Sequence, residues 1–163
     1  MIKCPCFKIT MCQFRKNLEH GSIEQDPNVV LHDGYTPFQL AAMFNNEEHF
    51  ESMIPLVENP FEQSLNEDNK TAIDLAIMHG HINIVKIFCQ HFKEDDDDLE
   101  MWLITAAYHG QVEVANYLIS QFEDPLEAFQ DAKICALTMG QNEFSHFLDE
   151  EMAIYLFTRV FII

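Results

Sequence analysis

The sequence predicts an all-α solenoid of helix-turn-helix repeats, and three observations support this prediction. An alanine-containing helix end, a turn and a second apolar helix occur four times, as AAMFNNEEHF, AIMHGHINIV, AAYHGQVEVA and ALTMGQNEFS. The aligned alanines are 35 residues apart in the first pair of copies and 30 apart in the next two. Such short helices cannot bury enough surface alone, so each copy needs stacked neighbours. Hydrophobic residues make up 48% of the 163 residues, enough for the core of one compact domain.

The stretch 71–88, TAIDLAIMHGHINIVKIF, shows the pattern of one copy. Thr71 is an N-cap candidate because its hydroxyl can accept a backbone N–H at the helix start. Gly80 is predicted to end the first helix, where a left-handed residue without Cβ is least strained. Glycine holds the same turn position in the last two copies, and Asn45, which tolerates that conformation, holds it in the first. The apolar positions of the two helices are Ile73, Leu75, Ala76, Ile82, Val85 and Phe88.

These residues resemble the ankyrin repeat, which has a period of about 33 residues and a T-P-L-H-x-A signature. The segment 33–42, DGYTPFQLAA, matches best, with Phe38 and Gln39 in place of Leu and His. The segment 68–88 matches next, with Ala72 at the proline position. The resemblance covers roughly residues 14–150 and implies stacked helix pairs with β-hairpin fingers between them.

The resemblance implies a single ankyrin-repeat domain over residues 1–163. Pro55 is expected to end the second helix of the first full repeat. The predicted parts are a partial N-terminal cap at 1–31, repeats at 32–65, 66–96 and 97–123, and a fourth repeat with an apolar C-terminal cap at 124–163.

The later copies depart from the family pattern. Residues 94–100, EDDDDLE, stand where a finger would be, which predicts short or degenerate fingers. Asp97 and Glu100 have capping-box spacing and predict a helix start near Asp98. The segment 124–127, DPLE, repeats this device with proline at the first helical position.

The segment after Asp149, EEMAIYLFTRVFII, has no polar outer face. It is too short to span a bilayer. We expect it to fold back as an apolar cap. The alternatives are an exposed patch that takes a partner and a fragment of a longer solenoid.

Charge and cysteine content restrict the classes of function. The net charge is −18, and the first 16 residues carry Lys3, Lys8, Arg15 and Lys16 without any acid. The acidic remainder repels nucleic-acid phosphate and anionic membrane, so neither is an expected partner. A basic or neutral partner is expected, and solubility is the alternative reason for the acids. Five cysteines without a disulfide pattern suit a reducing compartment, which favours the cytoplasm, with the nucleus as the alternative.

The sequence predicts no enzyme, no cofactor and no metal site. It lacks a Gly-rich phosphate loop, G-x-S-x-G and H-E-x-x-H. His79 and His81 could bind a metal, but His79 recurs as His109 in the repeat turn, which favours a surface or structural role. Cys135 lies in an apolar helical pattern typical of a core thiol. The acidic run 94–98 lacks EF-hand spacing and suits a helix N-terminus better than calcium.

The two residues before each turn form the main functional hypothesis. The resemblance implies that they lie, with the finger tips, on a concave binding face, although Phe44 and Met139 could instead pack between helices. Aromatic, Met and acidic side chains there favour a basic or apolar protein segment, so we predict non-enzymatic protein–protein interaction. The alternative is a structural or regulatory fragment of a longer ankyrin scaffold with no separate ligand. The predicted binding residues are His32, Asp33, Tyr35, Met43, Phe44, Glu67, Asp68, Lys70, Met78, His79, Asp97, Asp98, Glu100, Tyr108, His109, Thr138 and Met139.

Overall fold

The computed structural model describes the chain at residues 26–31, 34–65, 67, 69–92 and 96–161. Within these ranges the chain forms eight α-helices and no β-strand, which confirms the all-α prediction. A 3-10 turn containing Pro55 follows the second helix, so that helix ends where the proline predicts. The helices are α1 (Pro37–Met43), α2 (Glu47–Met53), α3 (Ala72–Met78), α4 (Ile82–Phe92), α5 (Asp96–His109), α6 (Val112–Ile119), α7 (Leu126–Thr138) and α8 (Asn142–Phe161).

The chain divides into two compact units, residues 1–72 and residues 73–163. In the first unit α1 packs against α2, and the rings of Phe38 and Phe50 stack with their centroids 4.3 Å apart. A capping box starts α1: Thr36 Oγ1 accepts from the Gln39 N–H at 3.3 Å, and Gln39 Oε1 accepts from the Thr36 N–H at 2.9 Å. The Gln39 amide also donates to the Glu62 carbonyl oxygen at 2.8 Å. The buried Gln39 therefore holds the loop after α2 against the start of α1.

Backbone-linked turns, and not strands, occupy the described parts of the predicted fingers. The Ser64 N–H donates to the Lys70 carbonyl oxygen at 2.9 Å, and Ser64 Oγ accepts from the Lys70 N–H at 2.9 Å. The Leu65 N–H donates to the Gly34 carbonyl oxygen at 2.8 Å. The loop before α1 is thereby tied to the loop before α3 within the first unit.

Left-handed residues follow the first helix of each pair, as the sequence predicts. Asn45 has a φ of +56°, and Gly80, Gly110 and Gly140 have φ values of +71°, +70° and +74°. Small side chains line the helix contacts of these copies, where larger ones would hold the backbones apart. The fully buried alanines are Ala41, Ala42, Ala76, Ala106, Ala107, Ala115, Ala132 and Ala136.

Two helix starts differ from the prediction. α5 begins at Asp96, so Asp97 lies inside its first turn and is not its cap. α7 begins at Leu126, with Pro125 as its N-cap and not as its first helical residue. Asp124 Oδ1 accepts from the Leu126 N–H at 3.3 Å. Carboxylates are favourable both at the cap and in the first turn, so D-x-x-E spacing does not determine the first residue of a helix.

The C-terminal segment continues α8 and does not fold back on it. Residues 142–161 contain no glycine or proline that would end the helix. The inner side of its last turns is anchored: Arg159 donates to Asp124 at 2.6 Å and lies over the Tyr155 ring, 5.3 Å from its centroid. The outer side chains include exposed Ile154 and Phe157, as in the alternative of an exposed apolar patch. No helix of the described ranges is long and apolar enough to cross a membrane.

Arg159→Ala should raise the pKa of Asp124. The hydrogen bond from Arg159, followed by the one from the Leu126 N–H, lowers the pKa of this carboxyl below its usual value. A lowered folded-state pKa stabilises the fold fully above the pKa of the unfolded carboxyl, and this contribution disappears as the pH falls through the folded-state pKa. NMR titration of the Asp124 carboxyl carbon measures the change. Arg159→Lys, which keeps a cation, should preserve a lower pKa than Arg159→Ala, and identical titrations of wild type and Arg159→Ala would contradict the ion pair.

Candidate functional site

Side-chain amides hold the turn residues of the second unit in register. Gln111 donates through Nε2 to the Met78 carbonyl oxygen at 2.9 Å. Gln141 donates in the same way to the Tyr108 carbonyl oxygen at 3.3 Å. Each amide satisfies a carbonyl at a helix C-terminus, which has no partner within its own helix. The structure therefore brings together three of the predicted pairs, namely Met78 with His79, Tyr108 with His109, and Thr138 with Met139.

Aromatic and histidine rings dominate the first two of these pairs. The Tyr108 side chain is 48% exposed and meets the His109 ring edge-on, with centroids 4.9 Å apart. The His79 and His81 rings stack with centroids 5.7 Å apart. Partial burial, and then the charge of His81, lowers the pKa of His79, which favours a neutral ring. In the part of the chain that the structure describes, no three His, Cys, Asp or Glu side chains are arranged to hold a metal ion.

Phe44 and Met139 both have exposed side chains. Part of each side chain is therefore open to a partner, and the binding role of both residues stays a prediction. Thr138 is also exposed, and its hydroxyl donates to the Ile134 carbonyl oxygen at 2.7 Å. The last pair consequently offers one apolar side chain and a hydroxyl that is already bonded within its own helix.

The predicted acidic residues lie at the far end of α5 from the turn. Asp97 precedes Tyr108 by eleven residues, about 16 Å along a helix axis, so the acids are not beside the aromatic pair as predicted. Partial burial is the main cause of a raised pKa at Glu100, followed by a hydrogen bond and charge repulsion from Asp131 of α7. The charges of Glu127 and Asp97 raise this pKa further. Acidic side chains of two helices therefore meet at this end.

Helical spacing places acidic, apolar and turn residues in one row on each of two neighbouring helices. Each row has i, i+4, i+7, i+11 spacing, and the rows are 30 residues apart in sequence. Cys135 Sγ donates to the Ile104 carbonyl oxygen at 3.7 Å, which shows that the helices touch midway along the rows. We call these rows the α5–α7 face. It consists of Asp97, Met101, Ile104 and Tyr108 on α5, and Glu127, Asp131, Ile134 and Thr138 on α7.

Sequence reasoning missed the middle of the α5–α7 face. Met101 and Ile134 are 61% and 63% exposed, although both are large apolar residues. The signal that could have found them is the 30-residue offset, because it aligns Ile134 with Ile104 in the row that ends at Tyr108.

Cys135, next to this row, has a pKa raised by burial. That shift is opposite to the one that activates a thiol nucleophile.

The first unit contributes a smaller set of the predicted residues. The prediction is wrong for Tyr35, because a side chain that is only 3% exposed cannot contact a partner. Phe44 and Glu67 are exposed, and Met43 and Lys70 are half-buried, so for these four the binding role stays a prediction. His32, Asp33 and Asp68 lie outside the described residues.

Comparison with known proteins agrees with the helix pairs and turns of the structure. The family model for ankyrin repeats in three copies matches residues 10–97 and, in a second match, residues 55–128. A search of the curated proteins found no significant match. Ankyrin repeats are in general protein–protein interaction modules, and the family is typically a non-enzymatic scaffold. Since the two matches cover residues 10–128, well over half of the sequence, the chain belongs to the ankyrin-repeat family.

Proposed function

We propose that the second unit binds a protein segment with basic and apolar side chains on its α5–α7 face, without catalysis. The observation that supports this most directly is the order in which acidic and apolar side chains follow each other along both rows. Carboxylates stand at the helix starts, exposed apolar side chains follow in the middle, and Tyr108 with His109 stands at the turn. Exposed aromatic and Met side chains of this kind supply the apolar anchors of protein interfaces.

The acidic end favours a basic side chain over an acidic or neutral one. Glu100 and Asp131 share a hydrogen bond and repel each other when both are ionised, which is one reason why the pKa of Glu100 is raised. A Lys or Arg of the partner would relieve this repulsion and favour the ionised form of Glu100. Electrostatic complementarity of this type contributes mainly to specificity and to the association rate.

The binding face is tested by substituting both of its ends at once. Tyr108→Ala combined with Asp97→Lys should weaken partner binding at least about tenfold while leaving helical circular dichroism unchanged, because both side chains are exposed. The measurement is quantitative affinity purification with tagged protein, followed by mass spectrometry of retained partners.

A matched control separates this face from the rest of the unit. Asn116→Ala combined with Glu113→Lys makes the same types of change at exposed positions of α6. We expect this control to retain the partners that Tyr108→Ala with Asp97→Lys loses. Equal retention by the two double variants would refute the assigned face.

A further inference from the structure

The exposed side of α8 changes from acidic to apolar halfway along the helix. Asn142, Glu143, His146 and Glu150 are exposed in the first half. In the second half Ile154 and Phe157 are 56% and 62% exposed, and Leu156 is exposed as well. Both halves belong to one continuous helix, so the two kinds of surface adjoin without a break.

Helical spacing aligns the acidic and apolar parts. Positions 143, 146, 150, 154 and 157 are three or four residues apart and therefore share one side of the helix. We call this set the α8 stripe, and it extends over about 21 Å at 1.5 Å per residue. A shallow, open depression lies at its acidic end, lined by Asn142, Glu143, His146, Phe147 and Glu150. The stripe thus combines an open acidic end with an apolar end.

Contacts on the opposite side of α8 keep the stripe facing outward. Phe144 and Leu148 are buried, and Tyr155 meets the Phe129 ring edge-on with centroids 6.5 Å apart. The Arg159 bond to Asp124 fixes the last turns against the start of α7. Rotation of α8 that buried Ile154 and Phe157 would break all of these contacts.

We propose that the α8 stripe is a second docking surface, occupied by a basic amphipathic helical segment of another protein. The stripe contains Glu143 and Glu150 and no Lys or Arg, so its charge is complementary to a basic segment. The acidic end accepts the Lys or Arg side chains, and Ile154 with Phe157 accepts the apolar ones. An amphipathic helix lying along α8 supplies both at the required spacing.

A second copy of this chain fits the α8 stripe less well. Each copy carries a net charge of −18, and pairing two stripes would bring their acids together. Three exposed apolar side chains also provide far less than the roughly 800 Å² per partner that stable dimers bury. The charge argument likewise disfavours an anionic membrane surface as the occupant.

The test uses a defined probe on the full chain. The probe is a fluorescently labelled peptide of about 14 residues, long enough to follow the stripe, with Leu on one face and Lys on the other. A peptide with Glu in place of Lys is the charge control. We expect the Lys peptide to bind in fluorescence anisotropy, with affinity that falls as salt rises, and the Glu peptide not to bind.

Variants locate the binding on the α8 stripe. Ile154→Gln with Phe157→Gln, and separately Glu150→Lys, should each weaken binding at least about tenfold. Glu113→Lys on α6 is the matched control and should change it less than about twofold. All three variants are compared in a Met101→Gln, Tyr108→Gln background, because peptide bound by the α5–α7 face then does not enter the measurement. Circular dichroism verifies that all variants are folded.

Three outcomes would overturn the proposal. These are absence of binding to the Lys peptide, equal loss with Glu113→Lys and Glu150→Lys, or loss confined to the Met101→Gln, Tyr108→Gln variant. The last result would support the α5–α7 face and remove the α8 stripe, so the two proposals fail separately. Analytical ultracentrifugation tests for dimers, and sedimentation with phosphatidylcholine vesicles tests for membrane binding. If either is observed and Ile154→Gln with Phe157→Gln abolishes it, the stripe is occupied by a second copy or by a membrane instead.

Discussion

Phe88→Ala is expected to lower the free energy of unfolding by about 3–5 kcal/mol. Phe88 is fully buried on α4, where its ring meets Trp102 of α5 edge-on with centroids 5.7 Å apart and lies 5.0 Å from the Phe92 ring. Truncation removes the buried ring and leaves a cavity that two helices cannot close without moving. The loss should therefore be at the upper end for single substitutions.

Trp102 makes this loss directly measurable. It is the single tryptophan of the chain, so its fluorescence during urea unfolding reports on the α4–α5 contact. Phe157→Ala makes the same chemical change at a side chain that is 62% exposed, and should shift stability by no more than about 0.5 kcal/mol. Similar losses in the two variants would show that burial at Phe88 is not what stabilises the second unit.

Gly80→Ala is expected to lower the free energy of unfolding by about 2–3 kcal/mol. The φ of +71° costs an L-residue with a Cβ about 1–2 kcal/mol. A Cβ at Gly80 would also stand 2.5 Å from Gln111 Oε1, so the amide would have to move. Its hydrogen bond to the Met78 carbonyl oxygen would then be weakened or lost, at about 1 kcal/mol.

Gly140→Ala separates backbone strain from the amide contact. Gly140 has a similar φ of +74°, but within the described residues no atom beyond its chain neighbours lies within 4 Å of the Cβ position. We expect this variant to lose only the strain, about 1–2 kcal/mol. Urea unfolding of both variants and of Gly80→Ala in a Gln111→Ala background measures the coupling. If Gly80→Ala and Gly140→Ala are equally destabilising, the amide contact contributes nothing.

The turns and helix pairs could be predicted because their signals are local. The handedness that Gly80, Gly110, Gly140 and Asn45 adopt is a property of each residue's own backbone. The recurrence of alanine at a spacing of 30 placed the buried contacts of successive copies in advance. Repetition supplied the rest, since a pattern that occurs four times is less ambiguous than any single helix.

Side-chain environments that depend on packing could not be predicted. Tyr35 is beside a turn like the exposed Tyr108, yet it is buried, and nothing in the neighbouring letters distinguishes the two. The α5–α7 face depends on how two helices are placed relative to each other. The exposure of Met101 and Ile134 could therefore not be predicted from the sequence. The bond from Arg159 of α8 to Asp124 could not be predicted either, because its two residues are 35 positions apart.

The bonds from Gln111 and Gln141 have a consequence for how this sequence can change over generations. At Gly80 and Gly110 the side-chain amide from 31 positions later occupies the space that a Cβ would need. Gly80 with Gln111, and Gly110 with Gln141, are therefore inherited constraints that act in pairs. A mutation at the glycine alters which side chains are tolerated at the glutamine, and the reverse also holds. A duplication or deletion that separates the two residues would leave the turn without its amide hydrogen bond. A segment that is duplicated or deleted without loss of these bonds thus runs from one turn to the next, and it includes the boundary between adjacent copies.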